Sequence, residues 1–479
     1  MKSGFDWSTL VKSESSARRV AMICLGVGGC GGGPSVVDVL ISDNPTMVLE
    51  KVFTVTLSEP AALAIRCTRD DLPEEVHLVE STTSASEHVL RVQGLVAETD
   101  YSCVVAPVGA TRAVPTEGGF RTDALPASVP AATGITTKTP GAAYTLMPHQ
   151  RLSAGSLDIL LVLMDNDGAV RWYYPIPTEG YADMGADYWG EGLILWGGIS
   201  ASAPGEGAPR LVSISHEEVY RADYSGASAY EYHHIAERQP DNTVVTLVEE
   251  EDFQIHQLDV ETDTLVWSWQ VADHTDEIAP RADANWAGVM TGDDGTETMV
   301  VSLCEDYMVF GIDMDSGDVA WTLGEEGSLT LTEGDYPSCQ HGLGIDGSRI
   351  LLYDNGAAPT SRAVEYEIDA AAGTATETWS WTEDGWREWG WGDVDYLGDD
   401  RIVITKGHLA AWGDGEGPSS VIEVDRTDNT VAWRLDFSEE SDAIYSADRI
   451  DGCELFSETS RCPALADRLA ELSETFGSE

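Results

Sequence analysis

Positive charge is what this sequence has least of. Its 479 residues include 27 lysines and arginines against 83 aspartates and glutamates, a formal charge of -56. Such a chain repels the phosphates of nucleic acid, which excludes nucleic-acid binding as a function class. The acidic residues are dispersed among hydrophobic runs, so the charge does not signal disorder. It reads as a solubility feature suited to salty surroundings, and an anionic substrate would need a local patch of donors. Helical periodicity is almost absent. Glycine is abundant, at 47 residues, and the apolar runs are short and alternating, which is an all-β composition. Beyond the short apolar run near the start, no stretch is apolar for long enough to suggest a membrane-spanning helix. The eight cysteines include no Cys-x-x-Cys pair set beside histidines, so no metal or cofactor is expected.

The start of the chain reads as an export signal. Lys12, Arg18 and Arg19 precede the apolar run VAMICLGVGGC, too short to cross a bilayer. The run ends Val27-Gly28-Gly29-Cys30, which resembles a bacterial lipoprotein cleavage box. The resemblance implies that residues 1–30 are a signal peptide, with lipid attached at Cys30. The protein is then expected to be exported and membrane-anchored, in the periplasm or on the cell surface. Export fits the remaining six cysteines, which are expected to pair with their sequence neighbours as Cys67–Cys103, Cys304–Cys339 and Cys453–Cys462, one of 15 possible connectivities.

Residues 31–124 show alternating runs such as VFTVTLSE and YSCVVAPV, separated by turn residues at roughly ten-residue intervals. They predict a small β-sandwich with His77 and His88 on its surface. The segment GLVAETDYSCVV resembles the signature near the end of fibronectin type III domains.

A repeat then begins, a strand, a turn and a strand bearing tryptophan. Copies include LVLMDNDGAVRWYYP, YMVFGIDMDSGDVAWTLG and SSVIEVDRTDNTVAWRL. Trp267, Trp321, Trp379 and Trp433 are 54, 58 and 54 residues apart. Trp172 lies two repeats earlier, and the copy between them carries tyrosine in LVSISHEEVYRADY. With another strand pair before most copies, six four-stranded units predict a six-bladed β-propeller over residues 125–452. The segment 443–451 resembles a first strand without partners and is expected to complete the blade that contains Trp172. Residues 453–479 form a tail with a short helix, expected to pack outside.

In a propeller the first strand of each blade is innermost, so starts of first strands and ends of second strands share one channel mouth. By that rule His233, His234, Asn285, Trp286, His341, Asn355 and His408 gather at one opening, with Arg362 at the start of a third strand. His149, His216, His256 and His274 fall outside the register and read as structural. The tryptophans read mainly as packing, although Trp286, Trp386, Trp389, Trp391 and Trp412 could line an aromatic site.

The His233-His234 pair, the QHG…LLYDNG…SR block from Gln340 to Arg362 and the repeat together resemble the bacterial aryl-sulfate sulfotransferases. That resemblance implies a propeller that moves a sulfuryl group between phenols through a sulfated histidine, without a nucleotide donor. His234, His341 and Arg362 match by motif, and His408 takes the remaining catalytic place. His408 is favoured over His341 as the nucleophile, and Arg362 is expected to grip the sulfate oxygens. His233, Asn285, Trp286 and Asn355 become substrate-binding candidates. The chain departs from the family at Ala284, where members often carry histidine, and at Cys304, where arginine is common. Two other readings compete. One is a quinone-dependent propeller, disfavoured because six blades are counted and no carboxylate cluster is seen. The other is a non-catalytic, lipid-anchored propeller binding a partner or glycan at its mouth.

Overall fold

The computed structural model describes residues 18–20, 33–109, 116–153, 156–176, 181–200, 204–249, 252–274, 278, 284–292, 294–356, 360–398, 400–407, 418–438, 442–456, 462 and 464–476. Most of the signal segment, Cys30, His408 and Trp412 lie outside the described residues. The chain divides into two compact units, Met1–Pro126 with Phe456–Glu479, and Ala127–Leu455.

The first unit is a sandwich of two antiparallel sheets. One orders its strands Arg18–Val20, Val36–Asn44, Met47–Ala61 and Ala85–Val92. The other runs Leu72–Glu80, Leu63–Arg69, Asp100–Pro107 and Thr116–Arg121. Alternation along the strands buries one face of each sheet, so Val39, Phe53 and Val55 meet Ile65, Tyr101 and Val105 in one core. Cys67 and Cys103 are register partners on adjacent strands and are disulfide-bonded. The Tyr101 hydroxyl accepts a hydrogen bond from the Val96 amide (2.9 Å). Against expectation, His77 and His88 are buried, at 1% and 5% exposure. His88 Nε2 is 3.0 Å from the Ala61 carbonyl, and the His77 ring stands edge-on to Tyr101. Strand alternation turns both rings inward, and His77 Nε2 lies 3.5 Å from Glu75 Oε1. The tail forms the helices Ala464–Glu471 and Ser473–Phe476, and Leu472 and Phe476 pack with Ala64, Leu78 and Ala106 of the sandwich.

The second unit is a six-bladed β-propeller. Blades two, three and four are Tyr181–Arg221, Glu231–Gln270 and Ala284–Leu323, each a four-stranded antiparallel meander. Blades five and six, Gln340–Trp381 and Asp393–Asp436, have the same meander with one extra outer strand each, Thr330–Leu331 and Gly134–Thr137. Blade one consists of Tyr144–Ser153, Ser156–Asp165 and Val170–Pro175, and its inner position is filled from the far end of the chain. Asp442–Ile444 and Asp448–Ile450 both pair with Tyr144–Ser153. The predicted closing strand is therefore present, broken in the middle.

The repeated aromatic explains how blades hold one another. Trp172 Nε1 donates to Ile214 O (2.8 Å), the Tyr220 hydroxyl to Asp263 (2.9 Å) and Trp267 Nε1 to Met314 O (3.0 Å). Trp379 Nε1 donates to Asn429 Oδ1 (2.7 Å), and Trp433 Nε1 to Asn166 O (3.0 Å). Each acceptor sits in the turn between the third and fourth strands of the following blade. The last bond joins blade six to blade one and so closes the ring. Trp321 is the exception, since its buried Nε1 has no hydrogen-bond partner among the described residues.

Trp433→Phe should therefore destabilise the propeller more than Trp321→Phe. Both remove the same ring volume, but only the first removes a hydrogen bond, leaving the Asn166 carbonyl with Thr137 Oγ1 alone (3.3 Å), a loss of about 0.5–1.5 kcal/mol. Paired denaturant unfolding curves measure the difference.

Candidate active site

The inner strands of four blades are interrupted near their starts, blade two between Tyr181 and Met184. In blade three, Tyr232 pairs with Val248 and Ala236 with Thr246, so His233, His234 and Ile235 all stand against Leu247. In blade four, Ala284 pairs with Leu303 and Trp286 with Ser302, which leaves Asn285 as an extra residue. In blade five, Gln340 pairs with Asp354 and Leu343 with Leu352, so His341 and Gly342 face Tyr353 alone. A bulge leaves its extra residue out of the ladder and re-aims the side chain. In blade one the inner strand breaks between Ile444 and Asp448, and Tyr445, Ser446 and Ala447 fill the gap. Glycine follows His341 because blades five and six touch there: a Cβ on Gly342 would lie 2.5 Å from the Cα of Asp393.

These interruptions bring His234, Asn285, His341 and Tyr445 together. His234 Nδ1 is 2.8 Å from the Tyr445 hydroxyl, and its ring lies 4.1 Å from that of His233. Burial, with the neighbouring His233 and His341 rings, holds His234 well below the ordinary imidazole range, so it is neutral at pH 7. The Asn285 amide is hydrogen-bonded to His234, while its buried Nδ2 has no partner among the described residues. Asn355 Nδ2 donates to Trp391 O (2.9 Å), which turns its Oδ1 toward His341 Nδ1 (2.7 Å). That oxygen can only accept, so a neutral His341 carries its proton on Nδ1 and its lone pair on Nε2. The Tyr445 ring is stacked parallel to Trp286 (5.9 Å) and lies edge-on to Trp391 (5.6 Å). Tyr445 was missed in the sequence because nothing in AIYSADRID marks the break that inserts it.

Other predicted residues lie elsewhere. Arg362 does not join the histidines. Its Nε donates to Asp354 (2.9 Å), Nη1 to Glu377 (3.0 Å) and Nη2 to Asp335 O and the Tyr366 hydroxyl (3.1 Å each). A third strand lies two interstrand spacings from the innermost, roughly 10 Å. At that distance its guanidinium meets the acids of its own blade. Trp386 packs inside the blade against Tyr353 and Trp381, and Trp389 is 49% exposed. His408 follows Gly407, whose carbonyl accepts the Ile444 amide (3.1 Å) at the edge of the break. Cys304 and Cys339 are disulfide-bonded as predicted, and Cys453 and Cys462 are also in disulfide linkage.

A carboxylate cluster, which the sequence reading did not see, is present after all. Asp187, Glu237, Asp393, Asp395 and Asp448 come from four blades and line one channel cavity with Trp286 and Ser446. Burial raises all five above the usual carboxylate range. The five positions are far apart in sequence, and only the register of four inner strands unites them.

A family model described as Arylsulfotransferase (ASST) matches residues 146–446. No curated protein matches the chain by sequence. Among solved structures, a Bacteroides caccae protein of unknown function is similar over 64% of this chain and 98% of its own, at 15% identity and TM-score 0.44. A chain of a nidogen/laminin complex is similar over 64% and 97%, at 14% identity and TM-score 0.39. A Synechocystis apocarotenoid oxygenase is similar over 64% and 80%, at 10% identity and TM-score 0.37.

One group bordering the site titrates near neutrality. Burial pushes Glu388 up to about 7 from an ordinary 4.5, while hydrogen bonds from the Tyr353 hydroxyl and the Gly407 amide oppose the shift. A carboxyl raised on folding contributes stability below its unfolded pKa, and that contribution is lost as pH rises through the folded value. Glu388→Gln should therefore flatten a loss on the order of 3 kcal/mol between pH 4.5 and 7, checked by unfolding curves across that range.

Proposed function

The chain belongs to the arylsulfotransferase family, and on that premise we propose that its channel mouth moves a sulfuryl group from an aryl sulfate to a phenol through a sulfated histidine. The observation that carries this reading is the convergence of His234, Asn285 and His341 at the interruptions of three inner strands. In the first half-reaction a neutral imidazole attacks sulfur, an N–S bond forms, and the S–O bond to the aryl group breaks. The phenoxide, whose conjugate acid has a pKa near ~10, leaves with a proton. In the second, the acceptor phenol loses its proton, its oxygen attacks sulfur and the imidazole departs. His408, the histidine left once His234, His341 and Arg362 are matched, is taken as the nucleophile. His341, with its lone pair on Nε2, takes the acceptor's proton and returns it to the next phenoxide, so protons balance over one cycle. Asn285 Nδ2 is the donor for the sulfuryl oxygens, its amide held by His234. Trp286 and Trp391, stacked around Tyr445, offer apolar faces to an aryl ring.

Arg362 is part of the blade's framework in this reading, because its fork is occupied by Asp354 and Glu377. The same reading has the protein exported and lipid-anchored through Cys30, in the periplasm or on the surface of a bacterial cell. Disulfides in both units support an oxidising compartment. The sandwich is proposed to be fibronectin type III-like. The two sheet orders and the Tyr101–Val96 bond near the start of its strand support this.

Incubation with 4-methylumbelliferyl sulfate should release 4-methylumbelliferone at a rate that depends on added phenol. Asn285→Ala should slow turnover by about 10²–10³-fold, as for loss of one oxyanion donor. His341→Asn should slow it at least as much, and Arg362→Lys should lower the unfolding midpoint while leaving turnover of the folded protein near wild type. Phenol-independent release unaffected by Asn285→Ala and His341→Asn would overturn the assignment of this mouth.

A further inference from the structure

We infer that the connection from Trp381 to Asp393 selects substrates at this mouth, with Trp389 as a platform for the aryl ring and Arg387 as the anchor for a carboxylate on that ring. The substrate class this names is phenols, and their sulfate esters, that carry a carboxylate away from the reacting oxygen. The inference rests on the sulfuryl transfer proposed above. The connection leaves the fourth strand of blade five at the level where first strands begin, so it crosses the mouth face from rim to channel. Its inner end borders the site. Asn355, which orients His341, donates to Trp391 O (2.9 Å). Apart from chain neighbours, the one described atom within 4 Å of a Cβ built on Gly390 is His341 Nε2, at 4.0 Å. A side chain there would stand before the nitrogen that carries the lone pair, and glycine leaves that space to a substrate.

The segment is fastened on its inner side and presents alternate residues outward. Trp386 and Glu388 are buried. Trp386 Nε1 donates to the Tyr353 hydroxyl (3.1 Å), and the Glu388 amide to Ser361 Oγ (2.9 Å). Arg387 and Trp389 therefore face away from the blade, and Trp389 is half exposed. The Arg387 guanidinium lies 4.1 Å over the Trp389 ring. Stacking uses the face of the guanidinium and leaves its in-plane N–H donors at the edge. Arg387 forms no hydrogen bond or ion pair among the described residues, whereas every other lysine and arginine between Gln340 and Asp436 is ion-paired. In a chain with 83 acids to 27 bases, an arginine kept from all of them beside the mouth is the local donor that an anionic substrate needs. The sulfuryl group has to reach the histidines, so the anion at Arg387 is a second one. Three residues of chain span at most roughly 10 Å, which puts Arg387 within reach of the far side of an aryl ring seated before Gly390.

The test uses the full-length protein with 4-methylumbelliferyl sulfate as donor and two acceptors, 3-(4-hydroxyphenyl)propanoate and its amide. They share shape and phenol acidity and differ in charge. A chain of this net charge repels the propanoate, so without an anchor the amide is the better acceptor. With the anchor, kcat/KM for the propanoate should exceed that for the amide by about fivefold, carried by KM, and the ratio should shrink as NaCl is raised. Arg387→Gln should bring the ratio to one or below. Arg387→Lys should restore only part of it, since the ammonium lacks the planar fork. Trp389→Ala should raise KM for both acceptors, and Gly390→Val should slow both by filling the space before His341 Nε2. If neither acceptor takes the sulfuryl group, the transfer reading fails, and calorimetric binding of the same two compounds decides the anchor by the same ratio and the same variant. A ratio of one or below in the wild type, or a ratio unchanged in Arg387→Gln, would overturn the inference and leave the Arg387–Trp389 stack as a surface contact.

Discussion

Everything at the channel mouth depends on the inner strands failing to pair at one level. An uninterrupted inner strand would alternate its side chains between the two faces of its blade, and both faces are packed against neighbouring blades. Where the ladder is broken, a side chain leaves that alternation and is re-aimed. Blade two breaks between Tyr181 and Met184, blade three at His233–Ile235, blade four at Asn285, blade five at His341–Gly342 and blade one at Tyr445–Ala447. The outer rim makes this affordable. Aromatic donors bond five of the six blades to the next blade's turn and Trp433 closes the circle on Asn166, so the inner ladder need not hold the ring alone.

The chain is strongly acidic, yet its candidate site works with neutral groups. Burial keeps His234 uncharged, and Asn355 assigns the His341 tautomer without a carboxylate. A sulfate ester carries a single delocalised charge. Amide N–H groups in a dry channel can grip it without a guanidinium, since hydrogen bonds strengthen where the dielectric is low. The arginine that would have supplied positive charge, Arg362, is held by Asp354 and Glu377.

Much of the fold was legible because the relevant signals are local or periodic. Tryptophans at a spacing near 54 residues, turn residues between alternating runs and an orphan strand at 443–451 lead directly to six blades and their closure. The cysteine partners Cys67–Cys103 and Cys304–Cys339 were legible from proximity in sequence. His234 and His341 were placed at one mouth by strand direction alone. What escaped depends on register. A bulge changes side-chain direction without a distinct sequence mark, so Tyr445 and Ser446 were read as ordinary strand. The acids Asp187, Glu237 and Asp448 are scattered and meet only through four inner strands. Arg362 was misplaced because the start of a strand fixes its level along the channel but not its distance from the axis. His77 and His88 were taken as exposed because polarity was weighed above alternation.

The proposed reaction requires that a histidine at the channel mouth become sulfated during turnover. The direct measurement is mass spectrometry of peptides after the protein is mixed with an aryl sulfate and no acceptor, quenched at alkaline pH to preserve the N–S bond. The expected result is an added SO₃ on one histidine, His408 as first choice and His341 as second, and loss of that mass when phenol is added. Sulfuryl exchange that continues with no sulfated histidine at His234, His341 or His408 would contradict it.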